Sequence, residues 1–424
     1  MEKGLVSIDR WDEGSQAYFL THLHADHSKG LSSNWSRGTL FCSSTTAKLL
    51  LSKFPTFNVS LIRVLQIGIT QILLLRSPTS GSDVRLLVTP IDAHHCPGAV
   101  MYLFRGEFGF LLHTGDFRWE MMNERAVVAR RTLMDALDGH KLDDLYLDNT
   151  YCHPSFSFPT REVASQQVID IINSNPCHEI VIGICTLGKE DLLLHISLAL
   201  GIKICVWPER LKTMHLLGFI HNFTTNTSLT RVRAVPRQSL THETLALLNT
   251  LHPTIGILPS GVPWRTSFVE EDQTALNGKI QPENCMHIPP KKINPFIYSV
   301  RYSDHSCFLE IHEFVKLVRP LNVTGSVPSS SFYTNPEYYF GHLCGDDQFW
   351  DAACREFRNE LVENFEGGQS DHILLCQKCF RWKMKTESRR KCIGSRCRKG
   401  RVHAIRRRQF GAKIAHYEES GALF

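Results

Sequence analysis

No stretch of this 424-residue chain approaches 18 consecutive apolar residues, so no membrane-spanning helix is expected. The longest candidate, around Leu192–Trp207, is broken by His195 and Lys203. The N-terminal Met-Glu-Lys-Gly lacks the apolar core of a secretory signal. Fourteen cysteines without such a signal imply reduced thiols in a cytosolic or nuclear setting, not a disulfide framework. No internal repeat is visible, and nothing around Gly188-Lys189 matches a P-loop. Acidic residues are almost missing from one end. Between Cys376 and Lys413, 15 Lys or Arg stand against the single acid Glu387, a net +14 that leaves −9 elsewhere in a chain of total charge +5. Runs such as Arg389-Arg390-Lys391 and Arg406-Arg407-Arg408 suit nucleic-acid phosphates or a nuclear-import receptor.

Histidine, by contrast, is concentrated. Residues 21–30, Thr-His-Leu-His-Ala-Asp-His-Ser-Lys-Gly, place His22, His24, Asp26 and His27 within six positions. Imidazole nitrogen and carboxylate oxygen suit zinc and similar borderline ions. The preceding Ala17-Tyr18-Phe19-Leu20 reads as a short buried strand, which puts the ligands on the loop at its end. Four ligands so close together cannot easily converge on one tetrahedral ion. His22 and His24 share one side of an extended segment, while Asp26 and His27 turn toward a second position. Two metals bridged by a hydroxide are the expectation.

Two further segments have a matching design. Asp92-Ala93-His94-His95-Cys96-Pro97-Gly98 follows the strand-like Arg85–Thr89, and His113-Thr114-Gly115-Asp116-Phe117-Arg118 follows the strand-like Phe108–Leu112. Each is an apolar strand ending in a Gly-containing turn with His or Asp at the tip. A lone His or Asp there is usually a turn residue; behind a His-x-His-x-Asp-His loop it is a candidate ligand.

With these motifs in order, the chain resembles the metallo-β-lactamase superfamily, and more narrowly the DNA-processing nucleases with an inserted β-CASP domain, the Artemis and Apollo group, including its plant Apollo-like branch. The resemblance runs from Ile8-Asp9-Arg10-Trp11-Asp12 through His22–His27, Asp92–Gly98 and Thr114–Arg118. It continues through Leu145-Tyr146-Leu147-Asp148-Asn149-Thr150 to Tyr302-Ser303-Asp304-His305-Ser306, so it covers roughly the first 345 residues. It implies a four-layer αββα fold, here α/β with an inserted α/β domain. The corresponding division is 1–150 and 291–345 for the metallo-β-lactamase domain, 151–290 for the β-CASP insertion, 346–375 for an amphipathic helix or linker, and 376–424 for a basic tail.

The resemblance also implies roles. His22, His24 and His95 would hold one metal; Asp26, His27 and His305 the second; Asp116 would bridge both. His94 is a decoy beside His95, because the family pattern His-Cys-Pro-Gly selects the second histidine. Asp9 would orient the cluster from outside it, and Asp148 and His305 match the first two motifs of the inserted domain. Asp9, Asp26, His27, Asp116, Asp148 and His305 form the expected catalytic set. Two metals lower the pKa of a bridging water and clamp the attacking and leaving oxygens of a phosphodiester. At the third inserted-domain motif RNA-processing members carry His and DNA-processing members Val. Counting 22 residues on from His305 reaches Val327, which favours DNA and places that valine in a strand core.

The insertion reads as α/β on its own. Glu179–Cys185 is a continuous apolar strand of the parallel, doubly buried kind. Glu190–Leu200 has Leu192, Leu193, Ile196 and Leu200 on one helical face with Gly201 closing it, and Ile202–Val206 is the next strand. Free backbone N–H groups, a hydroxyl and a lysine at Thr186-Leu187-Gly188-Lys189 would form an anion site for a terminal 5′-phosphate, joined by Ser330 and its neighbours Ser329 and Ser331. In the tail, Cys376-x2-Cys379 and Cys392-x4-Cys397 could hold a structural zinc, with His403 a spare ligand. Phe349, Trp350, Ala353, Phe357, Leu361 and Phe365 recur at helical spacing and are expected to pack on the body.

The function expected is therefore a metal-dependent 5′-to-3′ exodeoxyribonuclease using one or two divalent ions, zinc foremost. It would be a nuclear, monomeric protein acting on single-stranded DNA or 5′ ends in crosslink repair or double-strand-break and telomere end processing, with protein partners at the tail. The rivals are an RNA-processing nuclease of the same architecture, a small-molecule hydrolase and a non-catalytic scaffold.

Overall fold

Strand residues here alternate between two apolar destinations, and that alternation builds the layers. The computed structural model describes residues 4–11, 14–120, 123–261, 288–328 and 333–345. The calls on Ser329, Ser330, Ser331, the 349–365 helix and the tail cysteines lie outside these residues.

A four-stranded parallel sheet is formed in order by Val6–Ile8, Ala17–Phe19, Thr39–Ser43 and Ile62–Leu65. A six-stranded sheet runs Asn322–Gly325, Asp144–Leu147, Gly109–His113, Val100–Gly106, Asp83–Asp92 and Gln71–Arg76. Ala17, Phe19 and Phe41 of the first sheet meet Val88, Val100, Tyr102, Phe104 and Leu111 of the second in one buried cluster. Phe19 is its hub, with ring centroids 4.9 Å from Phe41 and 5.1 Å from Tyr102 and Phe104.

The intervening residues point the other way. Tyr18, Leu40 and Cys42 pack with Ala47 and Leu50 of helix Ser44–Lys53. Met101, Leu103, Leu112, Leu145 and Leu147 pack with Ala129 and Leu133 of helix Glu124–Leu137 and with Ile311 and Phe314 of helix Phe308–Val318. Helix, sheet, sheet, helix is the αββα order. At about 25 cal/mol per Å² of buried apolar surface, these three interfaces are the main stabilising term. The first helix is set by Ser43, whose hydroxyl accepts from Thr46 N–H, a cap worth about 1 kcal/mol.

The third sheet has seven strands in the order Phe223–Thr224, Ile204–Cys205, Val232–Pro236, Glu179–Ile184, Thr254–Pro259, Ile297–Val300 and Lys291–Lys292. The expected apolar strand is central and has a parallel neighbour on each side. Its Ile180, Ile182 and Ile184 face Leu192, Leu193 and Ile196 of helix Glu190–Leu200, whose C-cap Gly201 has φ 62°. Val181 faces Leu245 on the opposite side. Strand Ile297–Val300 lies within the segment expected to return to the metallo-β-lactamase domain. It pairs instead in parallel with Thr254–Pro259, so the chain leaves the seven-stranded sheet only after Val300. Val327 differs from expectation too. Its strand ends at Gly325, and Val327 sits half-buried in the following loop, held by two hydrogen bonds to Asn149 at 2.9 and 3.0 Å.

Candidate metal centre

Every candidate ligand follows the C-terminal end of a strand, where the backbone must turn and side chains can converge. Asp9 follows Val6–Ile8, and His22, His24 and His27 follow Ala17–Phe19. His95 follows Asp83–Asp92, Asp116 follows Gly109–His113, and His305 follows Ile297–Val300. The Asp116 turn depends on Gly115, at φ 54°; a Cβ there would come within 2.8 Å of Thr21 Cβ.

Outer hydrogen bonds decide which nitrogens face inward. Carbonyl oxygens only accept. Leu187 O at 3.1 Å therefore takes a proton from His24 Nε2, and Asp304 O at 2.8 Å takes one from His95 Nδ1. Thr21 donates its hydroxyl to Asp9 Oδ2 at 2.6 Å and so receives His22 Nδ1–H at 3.0 Å. The remaining atoms, His22 Nε2, His24 Nδ1 and His95 Nε2, each present a lone pair. His24 Nδ1 lies 3.0 Å from both of the others. Three converging lone pairs without a proton among them repel one another, and a cation between them removes the repulsion. The donor set fits a borderline divalent metal.

Asp116 closes the cluster. Its Oδ2 is 3.6 Å from His22 Nε2 and 3.5 Å from His95 Nε2, while its Oδ1 is 3.4 Å from His27 Nε2. The carboxylate thus reaches both groups of histidines. His27 turns its Nδ1 to Asp9 Oδ2 at 2.7 Å, and His305 turns its Nδ1 to Asp148 Oδ2 at 2.8 Å. Among the described residues, the groups able to share one ion are His22, His24, His95 and Cys96; Asp9, His22 and His27; and His95, Asp116 and His305.

Two placements differ from expectation. His305 groups with His95 and Asp116, not with Asp26 and His27, because its strand belongs to the seven-stranded sheet and delivers it from that side. Asp26 stands at the rim, 74% exposed, with Oδ2 3.7 Å from His27 Nε2. Asp9 and Asp148 each meet the Nδ1 of a histidine, His27 and His305. Asp148 is buried, and its other oxygen accepts from Thr150 N and Oγ1.

The Thr186–Lys189 turn is also changed. Lys189 Nζ is 2.8 Å from Asp304 Oδ2 and is largely buried. Gly188 N–H donates to Glu190, whose carboxylate pairs with the buried Arg210 at 2.8 Å. The N-terminal anion position is thus filled by the protein's own glutamate; only Thr186 is exposed.

Charge states follow from this packing. Burial, reinforced by neighbouring imidazoles, holds His22 and His95 well below the usual histidine range, and burial also lowers His24. Burial opposes charge on His27 and His305 as well, but nearby carboxylates win. Asp116 and Asp9 hold His27 well above its ordinary value, and Asp148 and Asp116 raise His305 to about 9. Burial and surrounding carboxylates push the Cys96 thiol up.

Roles that sequence reasoning left unassigned belong to Thr21, Asp304 and Arg118, although each lies inside a quoted motif. Arg118 is buried and donates to Glu310, to Ser303 O at 2.7 Å and to Pro159 O at 3.1 Å. It thereby ties the Asp116 turn to the His305 loop. No periodicity marks a buried arginine.

His94 is indeed apart from the cluster. It is 4% exposed, has φ 58°, and has no hydrogen-bond partner on either ring nitrogen. It lines a cavity of about 220 Å³ with Arg125, Arg161 and Tyr302. Burial, then the Arg125 charge, lowers its pKa to about 4. A folded pKa depressed below the unfolded value of about 6.5 gives stability that is complete above pH 6.5 and lost as pH falls toward 4. At pH 5 this one group should cost about 2 kcal/mol. Urea unfolding at pH 7 and 5 would show a steeper loss in the native chain than in His94→Asn; equal losses would refute the assignment.

Face-to-face sheets, outer helices and a His/Asp cluster on the strand-end rim define a metallo-β-lactamase protein. A family described as DNA repair metallo-β-lactamase matches residues 219–331. A Gallus gallus protein named 5′ exonuclease Apollo is 38% identical over 340 residues, 79% of this chain and 64% of the relative. Its Rattus norvegicus namesake is 36% identical over 337 residues, 77% of this chain and 55% of the relative. An Arabidopsis thaliana DNA cross-link repair protein SNM1 is 33% identical over 324 residues, 74% and 61%. The chain thus spans less than two thirds of the length of these relatives. It belongs to the Artemis/Apollo-like group of metallo-β-lactamase proteins.

Proposed function

We propose that this protein is a metal-dependent DNA nuclease, working as a 5′-to-3′ exonuclease in DNA repair in the nucleus. The observation that carries the reading is the set of inward imidazole lone pairs around the half-buried Asp116 carboxylate. His22, His24 and His95 would hold one divalent ion and Asp26 and His27 a second. Asp116 would be shared, His305 would lie beside the first, and zinc is the best match to the donors. Such ions supply an activated water and neutralise charge on the phosphoryl group.

The chain's own groups do the rest. Asp9 and Thr21 keep His27 and His22 in their ligating tautomers. Asp148 holds His305 and stabilises its charged form, so His305 Nε2 can donate a proton to the leaving oxygen. Val327 supports DNA as the polymer, as do the names of the relatives. Thr186, exposed at the rim, and Ser330 are assigned to the terminal 5′-phosphate. The protein would act as a monomer, with the 376–413 segment adding phosphate contacts and protein partners, and Cys376, Cys379, Cys392 and Cys397 holding a structural zinc.

A gel assay on 5′-phosphorylated and 5′-hydroxyl single-stranded DNA, with matching RNA, tests this. Stepwise shortening of the phosphorylated DNA, absent in Asp26→Ala/His27→Ala, is expected. Preferential RNA cleavage would move the protein to the RNA-processing branch, and inactivity on both polymers would sink the nuclease reading.

A further inference from the structure

We propose that Lys189 and Asp304 are positioning residues of the metal centre: their ion pair locks together the two backbone carbonyls that orient His24 and His95. The proposal rests on the metal-centre reading and deepens it.

The contacts form a closed ring. His24 Nε2 donates to Leu187 O at 3.1 Å, and Leu187 lies two residues before Lys189. Lys189 Nζ reaches Asp304 Oδ2 at 2.8 Å. Asp304 O accepts from His95 Nδ1 at 2.8 Å, and His95 Nε2 returns to His24 Nδ1 at 3.0 Å. Two of the three converging imidazoles therefore take their tautomer from segments flanking the seven-stranded sheet, not from the αββα layers that carry them.

The turn is built to hold this position. Lys189 has φ 64° and Gly188 φ 97°, and a Cβ on Gly188 would lie 3.5 Å from Asp304 Oδ2. Arg210, buried, donates to Thr186 O and Gly188 O on either side of Leu187. Lys189 and Asp304 are only 10% and 11% exposed, and Lys189 also lies 5.7 Å from the Tyr302 ring centroid. A lysine so engaged is not a solvated phosphate hook. Its removal would leave a buried carboxylate unpaired and free the loop that carries the His95 acceptor.

The test uses the full chain and Co(II) as probe, read by visible absorption, by retention against a competing chelator, and by hydrolysis of 5′-phosphorylated and 5′-hydroxyl DNA. Lys189→Met should lose Co(II) roughly 10- to 100-fold more readily, the range for outer partners of metal ligands. Its ligand-field bands should change, and hydrolysis of both DNAs should fall alike. Lys189→Arg should restore retention. Lys189→Met/Asp304→Asn should hold Co(II) better than Lys189→Met, because no charge is stranded. Asp304→Asn, which keeps the carbonyl and the side-chain volume, should show a smaller loss in the same direction; it serves if Lys189→Met does not fold. Native Co(II) spectra and retention in both single variants would overturn the proposal. So would a Lys189→Met defect confined to 5′-phosphorylated DNA, which would return Lys189 to phosphate binding. A wild-type protein that takes up no Co(II) would overturn the metal-centre reading and this proposal with it.

Discussion

Replacing Asp116 by Asn should lower hydrolysis by roughly 10²- to 10³-fold, the effect of losing about 3–4 kcal/mol of electrostatic stabilisation at the reacting centre. The substitution is isosteric, so the turn at Gly115 and the packing of Phe117 are preserved. What changes is the charge and one face of the group. The carboxylate oxygens lie 3.4–3.6 Å from the inward nitrogens of His22, His95 and His27, where they would bind the same cation. An amide would turn an NH₂ toward lone pairs that need a cation, and it could no longer serve both groups of histidines. It would also remove the largest influence holding His27 above its usual pKa. The measurement is steady-state hydrolysis together with metal content by elemental analysis. A variant within tenfold of the native rate at full metal content would show that Asp116 is not the shared ligand.

Arg118→Met should give the largest stability loss, on the order of 3–5 kcal/mol. The guanidinium is 1% exposed; it lies 2.9 Å from Glu310 and 3.4 Å from Glu120, besides its bonds to the Ser303 and Pro159 carbonyls. Methionine fills much of the volume yet removes the cation from Glu120 and Glu310, leaving each with a backbone N–H from Arg161 or Cys307, and strips the Ser303 and Pro159 carbonyls of this donor. Urea unfolding would report the loss. Arg118→Met/Glu310→Gln should recover part of it, because one stranded charge is gone; an equal or greater loss in the double variant would refute this account. Activity should fall more than stability explains, since Ser303 precedes His305 in the loop that Arg118 anchors.

The four-layer body was implied by the resemblance in motif order; what was legible locally were single elements. The apolar run at Ala17–Phe19 marked a strand whatever its partner, and the helix Glu190–Leu200 ends at the glycine its pattern requires. The cluster of His22, His24, His27, His95 and Asp116 was legible for a related reason: its residues stand on strand-end loops, and these loops follow recognisable strands; Asp26, from the same loop, stands at the rim. The expected set of His305, Asp26 and His27 was drawn from resemblance, and the strand bearing His305 delivers it beside His95 instead. The open phosphate hook at Lys189 was inferred from a turn whose occupants were out of view.

By itself, then, the sequence determined the apolar strands, the helix Glu190–Leu200 and the His- and Asp-bearing turns that follow the strands, since each depends on neighbours within a few positions. Only the tertiary structure decided which partner each donor takes. Lys189 and Asp304 are 115 positions apart, His24 and Leu187 163, and His95 and Asp304 209. Charges and carbonyls so distant along the chain are brought together by the packing of whole sheets, so no local pattern records whether a buried lysine will meet an aspartate or a phosphate.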